Sequence, residues 1–359
     1  MSEIPEKAAK TQEKVEAVPS PVVKHVAEAP QFTADILRTT GDNATDRANA
    51  RYAARMQLEF LGELQLKDNT ETGAQTKTEE EIVGKHADEM VIDPVAEEVQ
   101  EMIAGGTVDY ILLRDPKGDI VGYANTEVTS LSGEDGAPDK KEDATLFIWL
   151  IGIRQDLRGK GAVRVLNEKV MNVAHEQAQK RHLNIVSVSM EGGRDVEVKF
   201  RKHWGMHGTY MEHPESNSLV EAPMIPAPAS SKGGIITEDP LDPHSKWLIG
   251  MLDERKTISP EEFLAHTDLV YEGYNEGRSE EYQAVTGEIQ AFTRSLIVEV
   301  LQGRPVRLVD HHERKKIAAD PAGRRVVDAK DFSGWLNQHF PHLHERFRKI
   351  VEKQKGDYD

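Results

Sequence analysis

The sequence predicts an α+β fold: a mixed, mainly antiparallel sheet flanked by helices, followed by a C-terminal region that is mostly α-helical. Two observations support this prediction. The middle of the chain alternates short, β-branched apolar runs with turn residues, whereas the last third places apolar residues at helical spacing. One apolar run, residues 146–153, passes through a glycine-containing turn directly into a helical pattern. That junction is the most informative segment of the chain.

The strands of the sheet are predicted from composition and turn chemistry. Residues 108–113 and 120–129 are expected to pair as a hairpin, because Pro, Lys and Gly fill the turn at 115–119. A β-branched run at 184–190 predicts a further strand after the helix. Residues 195–204 then show a helical pattern that ends before a glycine.

The N-terminal half of the sheet is less clearly defined by its sequence. Residues 48–64 are compatible with a helix, or residues 56–61 within them with a first strand, and the sequence leaves both open. Asp93 followed by proline predicts the start of a capped helix that ends at Gly105. The polar insertion at 132–143 is expected to be a mobile loop.

A strand that enters a helix through a glycine turn directs several backbone N–H groups at one point, and the helix dipole favours an anion there. The spacing excludes two common phosphate loops. A triphosphate loop needs glycine where Arg154 stands and a hydroxyl residue where Gly161 stands. A dinucleotide fingerprint needs three spaced glycines, and this turn has only Gly159 and Gly161. The turn therefore predicts a site for a different phosphorylated ligand.

This segment resembles the acyl-CoA loop of the GNAT superfamily of N-acyltransferases, whose motif is Gln/Arg-x-x-Gly-x-Gly/Ala between a strand and a helix. The resemblance extends over roughly residues 91–214, through the order of strands and helices. Val163 departs from the motif, since glycine or alanine is usual there. The six matching positions are Arg158, Gly159, Lys160, Gly161, Ala162 and Val163.

The resemblance implies an N-acyltransferase that uses acetyl-CoA, or another acyl-CoA, as co-substrate. The strand edge around Ile151 and Ile153 would pair with the pantetheine arm. The backbone N–H groups of residues 159–163 would hold the pyrophosphate, and Arg158 would add charge. The acceptor would be a primary amine that attacks the thioester directly, and the sequence does not identify it.

The residues for proton transfer depart from the family pattern. Arg201 stands where many members carry a tyrosine that acts as the general acid for the thiolate. Arg194 replaces an asparagine that is often found near the start of the same helix, and Phe147 occupies a position that often holds the general base. An arginine does not give up its proton at neutral pH. Three other ionisable side chains are candidates, Glu127 and Asp143 as base and Tyr210 as acid.

These departures keep an alternative open. The chain is then a catalytically inactive, GNAT-like module that binds CoA or a partner and acts together with its helical C-terminal domain. Turnover with an amine separates the two hypotheses, because only the enzyme releases free thiol from acetyl-CoA.

Composition limits the class of protein. The 359 residues carry a formal net charge of −17, which argues against nucleic acid and against an anionic membrane surface as partners. The absence of cysteine excludes disulfides and thiolate chemistry. No apolar run is long enough to span a membrane and no signal peptide is evident, so a cytoplasmic location is expected.

Composition also predicts the domain organisation. Residues 1–45 are expected to be a disordered tail, 46–219 a GNAT-like domain, 220–240 a proline-rich linker and 241–359 a helical domain. Within the last, a capped helix is expected from residue 259 and a longer one over residues 280–301. The histidines of this region lack the spacing of a helical metal site, so no metal is predicted.

Overall fold

The computed structural model describes residues 32–40, 42–51, 53–55, 89–106, 108–192, 203–225, 246–275, 278–320 and 323–353. Its strands are β1 Thr33–Ile36, β2 Asp109–Arg114, β3 Ile120–Ser130, β4 Glu142–Ile153, β5 Leu183–Gly192, β6 His207–His213, β7 Ser218–Glu221, β8 Lys246–Met251, β9 Thr257–Ile258, β10 Val306–Val309 and β11 Arg325–Val327. Its main helices are α1 Glu89–Gly105, α2 Ala162–Lys180, α3 Pro260–Asn275, α4 Glu280–Leu301, α5 His311–Ala319, α6 Ala329–His339 and α7 Pro341–Lys353. Residues 43–51 and 53–55 are also helical.

These strands form one sheet in the order β1-β2-β3-β4-β5-β8-β6-β10-β9, with β7 beside β6 and β11 beside β7. Among the described strands, β4 with β5 and β7 with β11 are the parallel pairs, and the other pairs are antiparallel. Helices pack on both faces. The predicted class, a mainly antiparallel α+β sheet with a mostly helical C-terminal region, is confirmed.

The C-terminal region is not purely helical, because it supplies central strands of this sheet. β8 lies between β5 and β6, and all six of its residues are buried. β10 then extends the sheet beyond β6. The linker predicted at 220–240 is corrected at its start, because Val220 and Glu221 belong to β7, and the sequence before and after it contributes to one sheet. The run 246–251 is strand rather than helix because neighbours on both sides pair with its backbone.

Some residues of the predicted disordered tail, 1–45, lie in a strand and a helix. The prediction of disorder over residues 1–45 is wrong for Thr33–Ile36, which pairs antiparallel with β2, and for the helical residues that follow. The strand forms because its backbone pairs with the N–H and C=O groups at the edge of β2. The polar composition of this segment gives no sign of that partner. The alternative first strand at 56–61 lies outside the described residues.

The polar insertion before β4 is anchored by hydrogen bonds. The amide of Gly136 donates to the Arg181 carbonyl over 3.0 Å, and Arg181 forms an ion pair with Asp135 at 2.7 Å. β4 also begins at Glu142, within the predicted loop. The expectation of a mobile loop is thus corrected, because the end of α2 provides partners that sequence spacing does not show.

The helix predictions hold well in the C-terminal region. α4 has the expected bounds, and Ser279 caps it by accepting from the Tyr282 amide. At the start of α3, Ser259 and Glu262 form a reciprocal capping box, with N–H···O distances of 2.8 and 3.1 Å. α1 begins at Glu89, four residues before the predicted cap.

Candidate functional site

Two neighbouring strands separate in the middle of the sheet. β4 and β5 pair from Glu142 and Leu183 as far as Ile148 and Met190. Beyond that point β4 stays paired with β3 as far as Ile153, whereas β5 continues along β8. No strand that the structure describes pairs with residues 149–153 on their β5 side. We call this opening the fork.

A β-bulge lies at the fork. Asn125 of β3 faces Leu150 and Thr126 faces Ile148, so Trp149 has no residue opposite it. A bulge puts two successive side chains on one face of a sheet. Trp149 and Leu150 accordingly pack on the face away from α2, whereas Ile148 and Ile151 contact the α2 core. The bulge therefore directs Trp149 towards the C-terminal helices.

The predicted phosphate turn follows directly at the end of β4. A 3₁₀ turn at Gln155–Leu157 leads to Gly159 and Gly161, whose φ angles are +80° and +85°. An added Cβ at either glycine would meet nothing within 4 Å, so the backbone faces open space. α2 starts at Ala162 without a side-chain cap. The amides of Gly161, Ala162 and Val163, at the start of α2, donate to no backbone carbonyl among the described residues. These amides form a potential anion site.

The side chain of Val163 does not obstruct this turn. It is half-buried against the α2 core, next to the fully buried Ala162. The Val163 side chain, which is larger than the motif usually allows, therefore points into this core and away from the amides of the turn. Arg158 connects the turn to the strand, because its Nε donates to the Ile153 carbonyl over 3.1 Å.

The other basic side chains at the turn differ in their partners. Arg154 forms an ion pair with Asp156 at 2.7 Å, and Arg164 pairs with Glu168, one helical turn on, at 2.7 Å. Lys160 is exposed beside the two glycines. The turn thus combines backbone donors that have no backbone acceptor with an exposed positive side chain.

Aromatic and acidic side chains surround Trp149 on the other face. Its indole nitrogen donates to Glu127 Oε2 over 3.1 Å, and its ring meets Phe147 edge-on at 4.6 Å. The ring of Tyr274, from the end of α3, lies 5.9 Å away, and its hydroxyl donates to Glu191 Oε2 over 2.6 Å. Burial, together with the charge of Glu191, raises the pKa of Tyr274 well above its usual value. We call these five residues the fork cluster.

Glu127 is the candidate base that the structure places at the fork. Asp143 lies at the opposite end of β4, roughly 20 Å from Trp149 along the strand, and accepts a hydrogen bond from Asn184. Tyr210 is fully buried on β6, roughly 14 Å away across β5 and β8, where its hydroxyl lies 3.4 Å from Glu221. The structure does not bring these two together with the turn.

Sequence reasoning missed Glu191 and Tyr274. The only signal for the second was the i, i+3 spacing of Tyr271 and Tyr274 on one face of a predicted helix. Phe147, at the frequent base position, is buried in the core. Arg194 and Arg201, the other two departures, lie outside the described residues, as does most of the helix predicted at 195–204.

The described residues offer neither a metal-binding cluster nor a membrane-spanning helix. They contain no group of three or more His, Asp or Glu side chains arranged to hold a metal ion. Of the C-terminal histidines, His342 contacts Glu299 at 2.7 Å and His344 contacts Ser333 at 3.2 Å. No helix in the described ranges has the length and apolar character needed to cross a bilayer.

Comparisons with known proteins give weak similarities. No family model and no curated protein matches the chain. Among solved structures, Arabidopsis thaliana NAA60 in complex with acetyl-CoA is 9% identical, covering 62% of this chain and 99% of its own, with a TM-score of 0.30. The Escherichia coli GNAT family N-acetyltransferase YhbS in complex with CoA is 11% identical, covering 64% and 86%, with a TM-score of 0.31. A spermidine N-acetyltransferase chimera of Vibrio cholerae SpeG and hSSAT is 11% identical, covering 62% and 97%, with a TM-score of 0.32. Scores this low establish neither fold nor function.

Proposed function

We propose that this protein is an N-acyltransferase of the GNAT type, which transfers an acetyl group from acetyl-CoA to a primary amine. One observation carries the proposal. The free edge of β4 ends at a glycine turn, where the amides of Gly161, Ala162 and Val163 donate to no backbone carbonyl among the described residues. A ligand with an extended amide-containing arm and a pyrophosphate would find partners for both parts along one continuous segment.

The residues of this segment divide the binding between them. The amides of Gly159 and of Gly161 to Val163 would hold the pyrophosphate, whereas the Lys160 amide donates to the Leu157 carbonyl over 3.3 Å. The dipole of α2 and the side chains of Arg158 and Lys160 would support this binding. Strand residues 149–153, with Ile151 and Ile153 among them, would pair with the amides of the pantetheine arm as an added strand does. The missing Cβ atoms of the two glycines let the phosphates approach the backbone closely.

The chemistry is direct transfer between two bound substrates. The amine nitrogen forms a bond to the thioester carbonyl carbon, and the carbon–sulfur bond breaks. Glu127, which lies beside the bulge, is the proposed base that removes the proton from the ammonium group. The nitrogen loses a second proton as the amide forms, and the departing CoA thiolate takes up that proton, so the products are an amide and free thiol. A strand amide at the bulge would stabilise the oxyanion.

Binding of acetyl-CoA to the full chain, measured by calorimetry, tests the first half of this proposal. Gly161→Glu puts a carboxylate beside the exposed amides and a side chain at φ +85°. We expect the affinity to fall by roughly 100-fold or more, because the new carboxylate repels the phosphates and competes with them for the same amides and the positive end of the helix dipole. Gly133→Glu is the matched control, since Gly133 also has a positive φ, +77°, and open space.

Turnover tests the second half. Free thiol is followed while the protein is mixed with acetyl-CoA and a panel of primary amines. Release that depends on the amine and disappears in Gly161→Glu supports the enzyme. Tight binding without turnover on any amine supports the inactive module instead. No heat on titration with acetyl-CoA would overturn both readings of the turn.

A further inference from the structure

The C-terminal region reaches the fork through the last turn of α3. Gly273 lies directly against the bulge, since an added Cβ would stand 2.5 Å from the Trp149 ring. Tyr274 follows with its ring edge-on to the same indole. A helix for which the sequence gives no functional motif therefore forms one wall of the opening.

Two carboxylates lie on either side of this aromatic pair. Glu127 on β3 accepts from the indole of Trp149, and Glu191 at the end of β5 accepts from the hydroxyl of Tyr274. Trp149 and Glu191 are each the first residue after the last β4–β5 pair. Both arms of the fork therefore present an acidic group next to an aromatic ring, and all four side chains are half-buried.

A buried donor lies next to one of these acids. Trp247 of β8 is paired directly across from Glu191, so the two side chains share a face of the sheet. Trp247 is 1% exposed, and its indole nitrogen has no hydrogen-bond partner among the described residues.

We propose that the fork cluster binds the acceptor, and that this acceptor is an aliphatic amine with a second positive charge. The inference rests on the proposed function and adds to it the acceptor class and the two residues that recognise it, Glu191 and Tyr274. Carboxylates pair with ammonium groups, and the aromatic faces of Trp149 and Tyr274 attract cations. With Glu127 engaged at the reacting nitrogen, Glu191 is the partner of the second charge.

Three amines with the same five-carbon chain test the acceptor class: cadaverine, pentylamine and delta-aminovalerate. They carry, beside the reacting amine, a second ammonium, a methyl and a carboxylate group. Each is titrated into the full chain saturated with CoA, followed by calorimetry, and assayed for thiol release with acetyl-CoA. We expect cadaverine to bind and react best and delta-aminovalerate worst.

Glu191→Gln identifies the residue responsible. We expect the affinity of the variant for cadaverine to fall, and its KM for cadaverine to rise, by about tenfold to a hundredfold. Its affinities for pentylamine and acetyl-CoA should stay at the wild-type values. Glu272→Gln is the matched control, because Glu272 lies one residue before Gly273 but is exposed on the groove between α3 and α4. Tyr274→Phe should reproduce part of the loss, since Tyr274 acts by orienting Glu191.

The outcomes separate this inference from the proposed function. Equal binding of the three amines, or a preference for cadaverine that survives Glu191→Gln, overturns the inference while acetyl-CoA binding still supports the enzyme. Failure to bind acetyl-CoA overturns the proposed function. Because amine binding is measured directly, a chain without turnover is tested as well.

Discussion

The two faces of the sheet differ in what they carry. The α2 face is an aliphatic core under one helix, and its glycine turn was recognisable from spacing alone. The opposite face is covered by α3, α4, α6 and α7 and contains the larger core, rich in aromatic rings. Its largest fully buried members are Trp247, Phe263, Tyr271, Phe292, Phe332, Trp335 and Phe347. The face without a motif thus supplies both the bulk of the packing and one wall of the fork.

Removing an aromatic ring from the C-terminal core should have the largest effect on stability and tests whether the two faces unfold together. Phe292 of α4 is fully buried and stacks on Phe347 at 5.7 Å. Phe292→Ala should lower the free energy of unfolding by about 3–5 kcal/mol through lost burial and the cavity left behind. Because β8 and β10 belong to the common sheet, we expect scanning calorimetry to show one transition at a lower temperature.

Leu166→Ala on α2 is the counterpart on the other face, since Leu166 is also fully buried. It should lower the same single transition by about 2–5 kcal/mol. Two transitions, of which each variant moves only one, would instead support the independent helical domain predicted from the linker at 220–240.

Acid should lower the stability of the protein, because α3 buries a histidine. Burial lowers the pKa of His266 from 6.5 to about 4, with Glu262 opposing the shift and Arg255 reinforcing it. Its Nε2 lies 3.4 Å from the Ser187 hydroxyl, and its Nδ1 has no partner within the described ranges. The unfolded state therefore binds more protons than the folded state between pH 6.5 and pH 4.

The sign follows from that difference. Stability is full above pH 6.5, falls by about 3 kcal/mol as the pH drops to 4, and is not lowered further by this group below that. His266→Gln should remove most of this slope in urea titrations at several pH values. His175→Gln, on the exposed side of α2, serves as control and should keep it. An unchanged slope in His266→Gln would mean that other groups cause the acid sensitivity.

The sequence predicted what local chemistry decides. The hairpin of β2 and β3, the glycine turn, the capping box at Ser259 and the bounds of α4 all follow from nearby residues. β1 and β8 were missed, because short strands acquire stability from neighbours far away in sequence. The fork cluster was missed for the same reason: Glu191 and Tyr274 meet across 83 residues, and no spacing rule connects them.

The contact between the two regions at the fork is tested by a pair of helix glycines. In an open helix position Gly→Ala stabilises by about 1 kcal/mol, and Gly287 of α4 has nothing within 4 Å of an added Cβ. Gly287→Ala should show that gain. Gly273→Ala should lose it and leave the protein about 1–2 kcal/mol less stable than Gly287→Ala, because the new methyl overlaps the Trp149 ring.

Near-ultraviolet circular dichroism tests whether the loss of stability comes from a displaced Trp149 ring. Trp149 must shift to accept a methyl at Gly273, so the aromatic signal should change in Gly273→Ala and stay constant in Gly287→Ala. If Trp149 also lines the acceptor site, the same variant should raise the KM for the amine while the affinity for acetyl-CoA is retained. Equal stability and identical spectra for the two variants would show that Gly273 of α3 does not pack against Trp149. The wall of the fork would then have to come from elsewhere in the chain.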